Sequence, residues 1–402
     1  MGDYEDHGFA TRVIHEGQGH NPHGALATPI YMTSTFCFDS VEDGMKKFSK
    51  EKPGFVYGRS GNPTTAALEA KCAAIEGGEA AMAASSGMGA ISSVFMSLLK
   101  AGDHIIAGDT LYGGSDFVAH HLPDYGIQVS RVDTCDSTKV KAAMKPNTKL
   151  IYVESMLNPT LKINDIEALA KIAHGQGAML VVDNTFTPPP MCFPIQLGAD
   201  ISLHSTTKYL NGHGDIIGGI VIAPAEKMVD IRGIGLTKIC GCPASPMNSW
   251  LVLRGMKTLD LRVRKHCENA MAVAKWLEAQ ESVASVFYPG LPSHPQHELS
   301  KRQFADGLFG GMVSFEMKKP NGMSRFEATE RVMNSLKLFS VAVSLGDPDS
   351  LAEFPAGMTH LVVPQEEREA VGITDGLIRL SCGLEEAKDL CNDLRQAFSG
   401  IN

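Results

Sequence analysis

Leu150-Ile-Tyr-Val153, then Asp165-Ile-Glu-Ala-Leu-Ala-Lys-Ile-Ala-His174, then Met179-Leu-Val-Val182: these three pieces of the chain set its architecture. The outer two are short, largely β-branched and lack polar alternation, which predicts strands covered on both faces. Between them Ile166, Leu169, Ala170 and Ala173 recur at helical spacing. Strand, helix and strand in series predict an α/β fold, a mostly parallel sheet flanked by helices. Working outward, His104-Ile-Ile-Ala107, Gln128 to Val132, Ile201 to Leu203 and Gly219 to Ile222 read as further strands. Pro63 to Glu76 reads as a helix, with proline in its first turn and Gly77-Gly78 stopping it. Gly89 to Lys100 is apolar on most sides and reads as a buried helix.

Past about Arg254 the texture changes. A long helical stretch, Glu268 to Gln280, leads into Tyr288-Pro-Gly-Leu-Pro-Ser-His-Pro295, a few strands such as Met312 to Glu316, and closing helices. That pattern predicts a second, smaller α+β domain. The first sixty residues lack a packed-core pattern and read as an extended arm of the kind that wraps a partner subunit. The expected division is therefore an arm over 1–60, a large domain over 61–255 and a C-terminal α+β domain over 256–402.

With 402 residues the chain is long for one core, so two domains are expected. A formal net charge of -9 and no basic run argue against nucleic acid or an anionic membrane as partner. No stretch approaches the roughly 20 apolar residues that span a bilayer, and Met1 to Phe9 is too acidic and polar for a secretory signal. Nine cysteines without a CxxC pair support neither a disulfide framework nor a zinc site. Cys240 and Cys242 read as plain thiols, and a reducing cytoplasm fits. His213 has no second ligand at helical spacing, so no metal site is expected.

Three features carry candidate chemistry. Ser85-Ser-Gly-Met-Gly-Ala90 opens the buried helix, and small residues there leave backbone N–H groups free for a phosphate; alone, such a stretch is more often only a turn. Asp183, in Val181-Val-Asp-Asn-Thr185, ends a buried strand, at the edge where open α/β sheets bind ligands. An acid there can pair with a pyridinium nitrogen; standing alone it reads equally as a helix cap or a metal-ligand aspartate. Lys208, in Leu203-His-Ser-Thr-Thr-Lys-Tyr-Leu-Asn-Gly-His213, follows an apolar strand and is surrounded by hydroxyls and glycines, not by a solvated face. A lysine in that setting suits a Schiff base to a phosphorylated aldehyde cofactor. Together, in this order, the three are far more specific than any one.

With these residues and Tyr57-Gly-Arg-Ser-Gly-Asn-Pro-Thr64, Leu111-Tyr-Gly-Gly114, Asn158-Pro-Thr160, Ser344-Leu-Gly346 and Ile378-Arg-Leu-Ser381, the chain resembles the Cys/Met-metabolism pyridoxal-phosphate (PLP) enzymes over essentially its whole length. That cystathionine γ-synthase-like family has the PLP-dependent transferase fold of type I. Within it the wording is most similar to the bacterial methionine γ-lyase branch. The resemblance implies that Lys208 carries the cofactor and shuttles protons, that Asp183 holds the pyridine nitrogen, and that Tyr112 stacks on the ring and acts as acid or base. It implies phosphate contacts from Gly87, Met88, Ser205 and Thr207, completed by Tyr57 and Arg59 of a neighbouring subunit. Arg379 would clamp the substrate carboxylate, helped by Ser344, Asn158 and Tyr57. A homotetramer with shared active sites, acting on a small amino acid, is the implied assembly.

The implied reaction is γ-elimination from a γ-substituted L-amino acid such as methionine, cystathionine or canavanine; γ-replacement on an activated homoserine uses the same residues. A non-catalytic protein on this fold is disfavoured, because lysine, aspartate, tyrosine and arginine are all in place. The chain departs from the branch at Gly114, where a cysteine is usual, and at Thr237-Lys238, where a Lys-Asp pair is usual. Cystathionine γ-lyases typically have glutamate where this chain has Val343. Asp116 is expected to face the part of the pocket beyond Cγ and to favour a distal cation, with helix capping as the bland alternative.

Overall fold

The structure, a computed structural model, describes residues 4, 6–18, 21 and 23–400. Seven strands form the larger sheet: β1 (Ala80–Ala84), β2 (His104–Gly108), β3 (Gln128–Val132), β4 (Thr148–Glu154), β5 (Met179–Asp183), β6 (Ile201–Ser205) and β7 (Gly219–Ala223). Their order is β1-β7-β6-β5-β4-β2-β3. The five strands from β6 to β3 run parallel, and β7 is antiparallel to both its neighbours.

Why the strands carry no polar alternation is visible in the packing. Ile106, Ile151, Val153, Leu180, Val182 and Ile222 enter one apolar cluster, while Ile105, Leu150, Tyr152, Val181, Leu203 and Val221 enter another on the opposite face. Successive side chains of a strand point to opposite faces, so a sheet covered on both sides needs an apolar residue at every position. The strands end instead on polar residues, Glu154, Asp183 and Ser205, at the carboxyl edge. One strand escaped the sequence reading: β1, Ala-Ala-Met-Ala-Ala, has no β-branched residue and becomes a strand only by pairing with β7.

Helices α1 (Phe9–His15) and α2 (Val41–Phe48) lie in the segment expected to be an extended arm. Val13 is in fact part of the main core, and Lys71 Nζ donates to the Val13 carbonyl at 2.7 Å. A seven-residue helix burying a single side chain leaves no periodicity to read. Residues 1–3, 5, 19, 20 and 22 of the expected arm lie outside the described residues. Three further helices bear on the site: α3 (Pro63–Glu76), α4 (Gly87–Leu98) and α5 (Gly113–His121).

A five-stranded sheet follows, with β8 (Val283–Phe287), β9 (Met312–Met317), β10 (Ser340–Val341), β11 (Leu351–Glu353) and β12 (Leu377–Ser381) in the order β10-β11-β12-β9-β8. Its own core is built on Phe315, Ile378, Leu380 and Leu390. The helix before it spans Leu259–Glu278, starting nine residues earlier than expected because charged residues at its head hide its apolar stripe. No helix among the described residues is long and apolar enough to cross a membrane.

Candidate active site

A cavity of about 270 Å³ opens at the carboxyl edge of the parallel strands and is closed on its far side by the smaller sheet. Gly87, Met88, Tyr112, Asn158, Asp183, Ser205, Thr207, Lys208 and Arg379 line it, which brings together most of the residues singled out in the sequence. Each is placed by an element end. Helix α4 starts at Gly87 with Ser86 as N-cap, whose Oγ accepts from Gly89 N at 2.9 Å. A Cβ at Gly87 would lie 3.1 Å from the Ser205 Cβ, so glycine keeps the helix mouth open toward β6. The free N–H groups of this first turn form a cradle for an anion.

Asp183 opens partly onto the cavity but is otherwise enclosed, and that desolvation raises its pKa. Thr185 donates to its Oδ1 twice, from N at 3.0 Å and from Oγ1 at 2.6 Å. Tyr152 Oη donates to Oδ2 at 3.4 Å. None of these neutralises the carboxylate, so a cationic N–H entering the cavity would complete its environment. Lys208 Nζ donates to Ser344 Oγ at 2.9 Å. Burial lowers its pKa, opposed by Asp347 and assisted by Arg379.

Arg379, on β12 and only 4% exposed, is the most constrained of the set. It is ion-paired to Glu353, its direct partner on the antiparallel strand β11. Its Nη1 donates to Asn158 Oδ1 at 2.7 Å and its Nη2 to the Ser344 carbonyl at 3.3 Å, while Nε has no partner. A buried guanidinium with a free donor is built to accept a planar carboxylate.

Four of the sequence candidates are not part of the cavity wall: Ser344 stands behind it, joined to Lys208 and Arg379 by the hydrogen bonds just given, and Tyr57, Arg59 and Asp116 lie away from it. Tyr57, 47% exposed, and Arg59 lie together on a separate surface depression, where Arg59 Nη1 donates to the Thr237 carbonyl at 2.8 Å. Asp116, expected to face the pocket, is paired with Arg131 and is absent from the cavity wall. It sits in the first turn of α5, where a negative charge is favoured. Conversely, sequence reasoning missed Glu154 and Glu353. Glu154 could have been found by the signal that picked Asp183, an acid ending a buried strand. Glu353 had none, since it meets Arg379 only across a strand pair.

A ligand with an aldehyde for Lys208, a ring nitrogen for Asp183 and a phosphate for α4 suits all three groups at once, and pyridoxal phosphate carries them. Fold and cavity thus define a pyridoxal-phosphate enzyme. A family model for Cys/Met metabolism PLP-dependent enzymes matches residues 10–399, and the chain belongs to that family. It is 50% identical to an L-methionine gamma-lyase of Fusobacterium nucleatum subsp. polymorphum, over 98% of this chain and 99% of that one. It is 48% identical to an L-methionine gamma-lyase of Porphyromonas gingivalis, over 98% of both chains. The solved cystathionine gamma-lyase of Lactobacillus plantarum, complexed with L-serine, superposes with a TM-score of 0.90 at 40% identity, covering 98% of this chain and 99% of that one.

Proposed function

We propose that this chain eliminates the γ-substituent of an L-amino acid, with methionine as substrate. Bound pyridoxal phosphate supplies an electron sink that makes protons at Cα, and then Cβ, removable. Lys208 holds the cofactor, and its Nζ, kept less basic by burial, is suited to take a proton from Cα. Asp183 holds the ring nitrogen; Gly87, Met88, Ser205 and Thr207 hold the phosphate. Arg379, with Asn158 and Ser344, binds the substrate carboxylate, and Tyr112 at the mouth of the cavity holds a proton for the leaving group. Overall, methionine and water give methanethiol, 2-oxobutanoate and ammonia.

The observation that carries methionine over cystathionine or canavanine is the cavity wall. Met88, Met156, Phe186, Ile217, Val343 and Leu345 line it, and the one carboxylate expected to attract a distal cation is turned away to Arg131. A desolvated charge-assisted contact is worth roughly 1.5–3 kcal/mol, whereas an exposed pair contributes about 0–1 kcal/mol. Asp116 therefore offers a cationic side chain little. Measured kcat/KM should rank methionine above cystathionine, O-acetylhomoserine and canavanine, and Asp116→Asn should leave that ranking unchanged. A preference for cystathionine or canavanine that disappears in the variant would reverse the reading.

Tyr57 and Arg59 complete the phosphate site of a second subunit in this proposal, within a homotetramer in the cytoplasm; their place on an exposed depression away from their own cavity supports it. The two sheets, within 80–223 and 283–381, support the division at 61–255 and 256–402. Arg59→Ala and Lys208→Ala chains are each expected to be inactive. Co-refolded one to one, they should recover roughly a quarter of wild-type activity, because half of the dimers are mixed and one of two sites in each is intact. No recovery in demonstrably mixed dimers would refute the sharing.

A further inference from the structure

Helix α5 begins at Tyr112, which is its N-cap and yet supplies no side-chain cap of its own. The first N–H groups of a helix need acceptors from somewhere. Here the acceptor comes from another strand: Glu154 Oε1, at the end of β4, accepts from Tyr112 N at 2.5 Å. The backbone N–H of Asn158 also donates to that carboxylate. Glu154 itself is 5% exposed, borders the cavity and stands in register with Asp183 on β5. One buried carboxylate thus fastens two separate segments, one carrying Tyr112 and one carrying Asn158, at the mouth of the site.

The placement is costly. Burying an acid beside a second acid disfavours its charge, and desolvation and Asp183 together push the Glu154 pKa up to about 8. We propose that Glu154 is a positioning residue that fixes the backbone of Tyr112, and so aims the tyrosine ring and hydroxyl over the cofactor and leaving group. The inference rests on the pyridoxal-phosphate site and elimination reaction proposed above.

The test is a double-mutant cycle on the holoenzyme. Glu154→Met keeps the length and removes the acceptor; Glu154→Gln keeps an acceptor oxygen. Each is made with Tyr112 and with Tyr112→Phe, and thermal melts confirm folding. Glu154→Met should lower kcat about tenfold or more, as a small misplacement of a proton-transfer group does. It should also alter the visible circular dichroism of the bound cofactor. Glu154→Gln should restore kcat to within about threefold of wild type, and in the Tyr112→Phe background Glu154→Met should cost less than about twofold, since coupled positions are not additive. Fully additive losses, or unchanged dichroism, would overturn the proposal. If Glu154→Met fails to fold, a tenfold or greater loss in Glu154→Gln overturns it equally. The dichroism needs no substrate, so it still judges Glu154 if methionine proves not to be turned over.

Discussion

Lys208→Ala is expected to abolish the visible absorption of the enzyme-bound cofactor and to lower turnover by about 10³-fold or more. Two functions are lost together: the covalent attachment of the cofactor and proton transfer at Cα, which alone contributes about 10²–10⁴-fold. The side chain is half-buried and its single hydrogen bond is to Ser344 Oγ, so its removal should cost the fold little. Thermal unfolding of the apoenzymes should agree within a few degrees while activity collapses. Absorbance after dialysis separates the two functions, because a variant that still holds cofactor covalently would place the attachment elsewhere.

Arg379→Lys should reduce kcat/KM for methionine by roughly 10²-fold, most of it through KM. Lysine keeps the charge but not the planar fork, so the carboxylate loses a bidentate contact worth about 1.5–3 kcal/mol for a charged hydrogen bond. The contacts to Asn158 and to the Ser344 carbonyl are broken with it. Arg379→Ala should fare worse and for a different reason. It leaves Glu353 buried without its ion-pair partner, and removing one member of such a pair costs about 3–5 kcal/mol. Differential scanning calorimetry should therefore show the alanine variant clearly destabilised and the lysine variant much less so. Equal melting temperatures for the two would mean that Glu353 does not depend on Arg379. A KM for methionine unchanged in Arg379→Lys would remove the arginine from substrate binding.

Much of the cavity's polar wall was legible because its residues lie at the ends of regular elements. Asp183 closes an apolar strand, Lys208 follows one, and Gly87 starts a helix; each is marked in sequence by the abrupt change from apolar to polar. The substrate side was less legible. Arg379 stands inside a strand like any other residue, and the residues that orient it, Asn158 and Glu353, lie 221 and 26 positions away in the chain. Asp116 shows the same limit from the other direction. Its nearness to Tyr112 in sequence suggested a place in the pocket, but α5 carries it to Arg131 on β3.

The amino-acid sequence by itself determined most strands of the larger sheet, its parallel character, the polar residues at its carboxyl edge and the family. These follow from local patterns: a doubly covered strand is apolar at every position, and a helix mouth that admits an anion is glycine-rich. Tertiary structure alone decided which charges meet. Glu154 caps the helix of Tyr112, Glu353 neutralises Arg379, Arg131 removes Asp116 from the pocket, and Arg59 faces away from its own cavity. The physical reason is that an ion pair or hydrogen bond depends on a few ångströms of separation and on exclusion of water. Neither is encoded by spacing along the chain; both arise only when strands and helices distant in sequence have packed.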